Sequence, residues 1–409
     1  MTQQHLANRS FMGESQSQKI KDSRVTIVGG GIDIESTILS LIGLGVKHIQ
    51  HFDNTTSRKE PSILAPFAQP KRRHNWRLEE TINNWFTDIE YTAIAAPPIR
   101  YLIDEHNPSL ILTNSQQSFE RPTIYVKASN SLITVSEKPI YNHPISYDIH
   151  TKLISGSLLA DEFRKRVIRY NQHEEFIRSQ QTIQLTNHFF EKAHHSSVLI
   201  VGVGGIGTYT ALSQVLSETK NITLIDPDVI EDTNLNRQLF YAKRIGESKS
   251  AVLSQRLKKL KPHVHIHSSK STFSEFISQD KHKYDVLFCC TDNYESRVEV
   301  AQYCEKSNTR LLEAGCTPTT AIVSEYVPNI TRTITEKRQL KESLEFEKQR
   351  QQKQTSCVYA NPSIITPNLI SGVLQSYFSH FFIDSQNKYQ RLQKNFCFNS
   401  HLATKFYEE

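Results

Sequence analysis

Arg237, Lys249 and Asp292 are the residues of this 409-residue chain whose types and setting could do chemistry. Two cations can neutralise a triphosphate, and an aspartate at the C-terminal end of an apolar strand, Asp285 to Cys290, can hold Mg²⁺. Asn234 and Gln238 flank Arg237 in the run Asp226-Pro227-Asp228-Val229-Ile230-Glu231-Asp232-Thr233-Asn234-Leu235-Asn236-Arg237-Gln238, and Lys249 follows Gly246-Glu247-Ser248. The elements that must position them lie just upstream. Val198 to Val201 reads as a buried strand, Gly202-Val203-Gly204-Gly205-Ile206-Gly207 as a glycine loop, and the residues to about Ser217 as a helix. A second apolar strand, Ile222 to Ile225, delivers Asp226. In such a βαβ unit Gly202, Gly204, Gly205 and Gly207 let the backbone approach a phosphate at a helix N-terminus, and Asp226 sits where a ribose hydroxyl would be held.

The glycine loop alone does not choose between a nicotinamide dinucleotide and ATP. The remaining groups do, because a hydride-transfer site has no use for Arg237, Lys249 and Asp292. At these residues the chain resembles the ThiF/MoeB and ubiquitin-activating enzyme superfamily, with four motifs in family order across roughly residues 197 to 330. The resemblance implies an enzyme that uses ATP and Mg²⁺ to adenylate a carboxylate. It implies that Asn234, Arg237, Gln238 and Lys249 face the phosphates and that Asp292 takes the Mg²⁺. Superfamily members also begin with a short Arg-containing segment that reaches into a neighbour's ATP site. Arg9, in Asn8-Arg9-Ser10-Phe11, matches that position, as does Arg169 before the second glycine loop.

The first half repeats the second. Val25 to Val28 leads into Gly29-Gly30-Gly31-Ile32-Asp33, a helix-like stretch to Gly45 and a strand ending at Asp53, the element order of Ser197 to Asp226. Both halves later reach a helix with the same four residues, Leu153-Ile154-Ser155-Gly156 and Leu369-Ile370-Ser371-Gly372. The chemistry of the copy is lost: Ile32 and Ile34 replace Gly205 and Gly207, and Thr113-Asn114-Ser115 stands for Thr291-Asp292-Asn293. The fold class expected is α/β, two Rossmann-like mostly parallel sheets in tandem, the first degenerate, forming an internal pseudo-dimer able to dimerise further. Residues 1–165 form the inactive unit and 166–409 the active one, with a crossover at about 330–357 and linking helices over 157–196.

Composition narrows the partners. Forty-eight Lys and Arg against 42 Asp and Glu give a net charge of +6, too mild and dispersed to argue for nucleic acid. No apolar run reaches membrane-spanning length and no charged-then-apolar leader follows Met1, which points to a cytoplasmic protein without membrane attachment. Six cysteines contain no C-x-x-C pair, so no structural zinc is expected. His188, His194 and His195 lack ligand-spaced partners and read as surface residues. Cys316 reads first as a packing thiol, and Cys357 lacks an evident activating base for a thioester role.

Three uses of the chemistry compete. Ubiquitin-activating enzymes pair an inactive with an active half but carry further large domains. Sulfur-carrier activators match the active half in size but are unrepeated. Peptide-modifying members of the microcin-C and pantocin type lack a thioester domain, and this style of enzyme fits best, although their winged-helix peptide clamp is not seen here. The expected partner is therefore a peptide or small protein bearing a carboxylate, in the biosynthesis of a ribosomally made, modified peptide. A catalytically dead nucleotide-binding scaffold and a nicotinamide-dependent oxidoreductase are the alternatives of other classes.

Overall fold

The computed structural model describes residues 11–53, 62–64, 78–94, 100–129, 132–141, 148–168, 180–185, 197–353, 363–380, 396–400 and 405–408. Its first half contains α1 (Glu14–Asp22), β1 (Arg24–Val28), α2 (Ile32–Leu44), β2 (His48–Phe52), α3 (Leu78–Trp85), β3 (Glu90–Ile94), α4 (Arg100–His106), β4 (Leu110–Thr113), β5 (Thr123–Ser129), β6 (Leu132–Ser136), α5 (Ile149–Ile168) and β7 (Gln180–Gln184). The second contains β8 (Ser197–Val201), α6 (Gly205–Leu216), β9 (Asn221–Ile225), α7 (Lys249–Leu260), β10 (His265–Ser269), α8 (Phe273–Gln279), β11 (Val286–Cys289), α9 (Tyr294–Ser307), β12 (Arg310–Cys316), β13 (Thr320–Tyr326), α10 (Ile334–Lys337), α11 (Leu340–Lys353), α12 (Ile365–Ser379), β14 (Phe396–Asn399) and β15 (Lys405–Glu408).

The two sheets have the same order. The first runs β3-β2-β1-β4-β5-β6-β7 and the second β10-β9-β8-β11-β12-β13-β14-β15. In each, the five strands nearest the start of the order are parallel and those beyond are antiparallel. Strand order reverses between β1 and β4 and again between β8 and β11, and open α/β sheets bind ligands outside the strand ends at such a reversal. The tandem α/β architecture expected from the repeat is therefore present.

The halves meet through helices. Every residue of α2 is buried, and α6 and α12 are buried almost throughout, because each packs one side on its own sheet and the other on a partner helix. Within each half a repeated glycine lets the closing helix approach the helix that follows the glycine loop. A Cβ on Gly156 would lie 2.0 Å from the Asp33 carbonyl oxygen of α2, and one on Gly372 would lie 2.5 Å from the Ile206 carbonyl oxygen of α6. Thr37 shares its hydroxyl hydrogen between the carbonyls of Asp33 and Gly156, and the Thr210 hydroxyl donates to Gln375 Oε1 at 2.9 Å while lying 3.3 Å from the carbonyls of Ile206 and Gly372. Across the halves, His150 in α5 contacts the hydroxyls of Ser376 at 3.2 Å and Ser217 at 3.3 Å.

Two expectations change. The junction is not helical over 180–184: β7 pairs antiparallel with β6 and extends the first sheet past residue 165, since Gln180 to Gln184 alternate as a half-covered edge strand should. The strand register also corrects one correspondence between the halves. Val28 pairs with Thr113 and Val201 with Cys289, so Asn114 stands where Cys290 does and the counterpart of Asp292 is Gln116. The crossover contains the charged helix α11, held at its start by the buried Leu340. No helix among the described residues is long and apolar enough to cross a membrane.

Candidate functional site

The glycine loop between β8 and α6 lies at the strand-order reversal, and its glycines have different reasons to be glycine. Gly202 has φ +82°, where a side chain is strained, and its α-carbon faces the Cys290 backbone. A Cβ on Gly207 would sit 1.9 Å from the Gly202 carbonyl oxygen, and one on Gly205 would sit 2.2 Å from Asn368 Oδ1 of α12. These three are packed against protein. Gly204 is open: the nearest atom to an added Cβ is Gln238 Nε2 at 3.7 Å. Gln238 is itself buried, and its Oε1 has no hydrogen-bond partner among the described residues. An open backbone at a helix N-terminus beneath an orphaned amide is a cradle with room for a phosphate.

Asp226 holds this loop in shape. Its Oδ2 accepts the Val203 N–H at 2.7 Å and its Oδ1 the Asp228 N–H at 2.9 Å. Burial pushes its carboxyl above the ordinary value, opposed by the nearby Lys249. Asp228, two residues on, carries the exposed carboxylate at this strand end, and Lys249 Nζ donates to its Oδ2 at 2.8 Å. Sequence reasoning assigned Asp228 no role: residues two apart in an extended chain share a face, so the Asp-Pro-Asp spacing does not tell the buried carboxylate from the exposed one.

The following segment is rigidly turned. Glu231 and Asn234 form a reciprocal cap around the 3₁₀ turn Asp232–Asn234, with Asn234 Oδ1 accepting the Glu231 N–H at 3.1 Å. Asn236, missed by sequence, is fully buried; its Nδ2 donates to the Ser363 carbonyl at 2.8 Å and its Oδ1 accepts from Arg237 Nη1 at 2.9 Å. Arg237 Nη1 also reaches the Thr233 carbonyl at 3.3 Å, and Tyr209 Oη donates to the Arg237 carbonyl at 3.0 Å. Burial lowers the pKa of the Arg237 guanidinium, while Cys316, Asp292 and Tyr209 oppose that fall.

At the neighbouring strand ends, Asp292 is exposed directly before α9, whose N-cap is Asn293. Arg297 and Arg338 both pair with the buried Glu313, and a Cβ on Gly315 would meet Arg338 Nη2 at 3.2 Å and Arg297 Nη1 at 3.3 Å. Sequence reasoning assigned none of these three residues a role. Burial pushes the half-buried Cys316 thiol up to about 11 despite the nearby Arg237 and Arg297. Among the described residues no group of three or more His, Cys, Asp or Glu could hold a metal ion. Magnesium bound mainly through phosphate oxygens and water needs only one or two protein carboxylates, which Asp292 is chemically able to supply. The calls on Arg9, Arg169, Cys357, His188, His194 and His195 lie outside the described residues.

The first half answers each feature with a plug. A Cβ on Gly29 would lie 1.9 Å from Asn114 Oδ1, and Asn114 Nδ2 donates to the Gly30 carbonyl at 2.9 Å and to Asp33 Oδ2 at 2.8 Å. Ile32 and Ile34 are buried where the second loop has Gly205 and Gly207.

With this site described, comparison with known proteins gives its class. The model of the ThiF family matches residues 178–406, more than half of the chain. The chain belongs to the ThiF family. It is 34% identical over 129 residues to SUMO-activating enzyme subunit 2 of Dictyostelium discoideum, covering 31% of this chain and 20% of that protein. It is 35% identical over 127 residues to the sulfur carrier protein ThiS adenylyltransferase of Escherichia coli K12, covering 31% of this chain and 51% of that protein. These alignments thus span between a fifth and a half of the curated relatives' length. Among solved structures, E. coli MccB with succinimide aligns over 52% of this chain and 62% of its own, at 23% identity and a TM-score of 0.44.

Proposed function

We propose that the chain is an ATP-dependent adenylyltransferase that activates a carboxylate on a peptide or small protein. The observation that carries this reading is the contrast at the two glycine loops: the second has an open Gly204 beneath the orphaned Gln238 amide, with Arg237 and Lys249 close by in the chain, while the first is filled. Family membership supports the same class of chemistry.

In the proposed reaction a substrate carboxylate oxygen forms a bond to the α-phosphorus of ATP, the bond from that phosphorus to the bridging oxygen breaks, and pyrophosphate leaves. Gly202, Gly204, Gly205 and Gly207 shape the phosphate cradle, and Arg237, Lys249, Asn234 and Gln238 are its polar wall. Asp292 would hold a Mg²⁺ that neutralises phosphate charge. Asp226 is proposed to hold the ribose, since each of its oxygens accepts a single backbone N–H and keeps a further acceptor site, with the Lys249-paired Asp228 beside it. The first unit, proposed as residues 1–165 and completed in its sheet by β7, is non-catalytic. Arg9 is proposed to enter the second unit's site from it.

The likeness to the sulfur carrier protein ThiS adenylyltransferase favours a carrier-protein C-terminus as the second reading. The test is ATP–pyrophosphate exchange with peptides and carrier proteins, comparing wild type, Asp292→Ala and Arg9→Ala. Exchange that depends on Asp292 supports adenylation, and a parallel loss in Arg9→Ala supports a shared site. A chain that does not bind ATP would sink the enzyme reading.

A further inference from the structure

The first half touches the second at a place that bears on Arg237. Gly43, in the last turn of α2, packs against the Asn236–Arg237 segment and α12: a Cβ there would lie 2.7 Å from the Asn236 carbonyl oxygen, 2.7 Å from Ile365 Cδ1 and 2.8 Å from Ile365 Cγ2. A backbone oxygen cannot swing away as a side-chain tip can, so the contact fixes the segment itself. Asn236 passes that constraint on, because its side chain joins the Ser363 carbonyl to the Arg237 guanidinium. A second brace lies beyond the next turn. Trp85 of α3 sits under the Arg256 guanidinium, 4.2 Å from ring centroid to carbon, and Arg256 Nη2 donates to the Ala242 carbonyl at 2.9 Å. Lys243 Nζ lies 5.6 Å from the centroid of the same ring. Residues 236 to 242 are thus braced at both ends by the degenerate half.

We infer that this half is a positioning device: α2 through Gly43, and α3 through Trp85, hold Asn236 and thereby Arg237 where an anionic phosphate is met. The assignment of Arg237 to phosphate rests on the function proposed above; the brace itself does not. Gly43, Asn236 and Trp85 are positioning residues, each acting through another group.

The experiment uses the full chain with Gly43→Val, Gly43→Ala and Trp85→Leu, and Gly156→Ala as control. Gly156 packs α5 on α2 within the first half, so its substitution strains that half without touching residues 236–242. Three readouts are taken: thermal melting, amide hydrogen exchange over residues 232–242, and the dissociation constant for MgATP by calorimetry. The expected result for Gly43→Val is faster exchange over 232–242 with β10 and β13 unchanged, and MgATP binding weakened about tenfold or more, since small misplacements of phosphate-binding groups are costly. Gly43→Ala and Trp85→Leu follow in the same direction with smaller effects. Gly156→Ala lowers the melting temperature and leaves both other readouts at wild-type values. Unchanged exchange over 232–242 in folded Gly43 variants overturns the inference, as does equal weakening of MgATP binding by Gly156→Ala. If Gly43→Val does not fold, Gly43→Ala and Trp85→Leu are judged by the same criteria. Wild type that binds no MgATP would sink the proposed function, while the exchange measurements would still decide the brace.

Discussion

The two glycine loops share a scaffold and differ in what fills it. Both lie at a strand-order reversal, both feed a helix whose threonine, Thr37 or Thr210, bonds across to a glycine of the closing helix, and both follow the same strand register. In the first loop Asn114 and Asp33 occupy the mouth while Ile32 and Ile34 are buried beneath it. Burying an aliphatic side chain stabilises by about 1.5–3 kcal/mol, so the first loop gains what the second forgoes by keeping Gly205 and Gly207. The difference teaches that the helix–helix contact within each half constrains the fold independently of the loop's chemistry.

Filling the open loop should have the largest effect. Gly204→Ala has room for its Cβ, whose nearest neighbour would be Gln238 Nε2 at 3.7 Å, so the chain should still fold while ATP–pyrophosphate exchange falls by about a hundredfold or more. Equal exchange in that variant would remove the distinction between the loops. Next comes Gly207→Ala, whose Cβ would collide with the Gly202 carbonyl; a loss of about 3 kcal/mol in urea unfolding is expected, whereas Ile34 at the matching place is part of the core.

Asn114→Asp attacks the plug. It replaces the amide donor to Asp33 Oδ2 by a second carboxyl and should cost about 1–3 kcal/mol at neutral pH. Burial raises the Asp33 pKa, so this group's contribution to stability is full below its ordinary value of 3.8 and is lost as pH rises through the raised folded value. The deficit of Asn114→Asp should therefore shrink when unfolding is measured in acid, and a deficit independent of pH would count against a carboxyl pair. The smallest effect concerns Cys316. With its thiol pushed up to about 11, alkylation by iodoacetamide near neutral pH should be roughly a hundredfold slower than for an exposed cysteine. Fast labelling at Cys316 would reopen it as a nucleophile.

Much of this contrast was legible in the residues. Glycine spacing, strand hydrophobicity and the repeated Leu-Ile-Ser-Gly announced the tandem sheets, because those signals are local and periodic. Asn236 and the Arg297–Glu313–Arg338 cluster were not legible, since their partners are brought together by tertiary packing across wide sequence gaps. Strand β7 was hidden because an edge strand of glutamines has no apolar alternation to betray it. The counterpart of Asp292 was misplaced by two residues, since strand ends are set by hydrogen-bond register and not by motif likeness.

Gly43 also bears on why the two halves share one chain. The strand register that equates Val28 with Val201 places Leu216, the last residue of α6, opposite Gly43. In a dimer of identical subunits any substitution appears twice, so a glycine needed in one copy would be forced on the other. Joined in tandem, the copies can mutate separately: one end keeps a bare backbone for contact, and the other keeps a leucine for packing. Covalent linkage thus turns a symmetric interface into one where each side can be tuned alone.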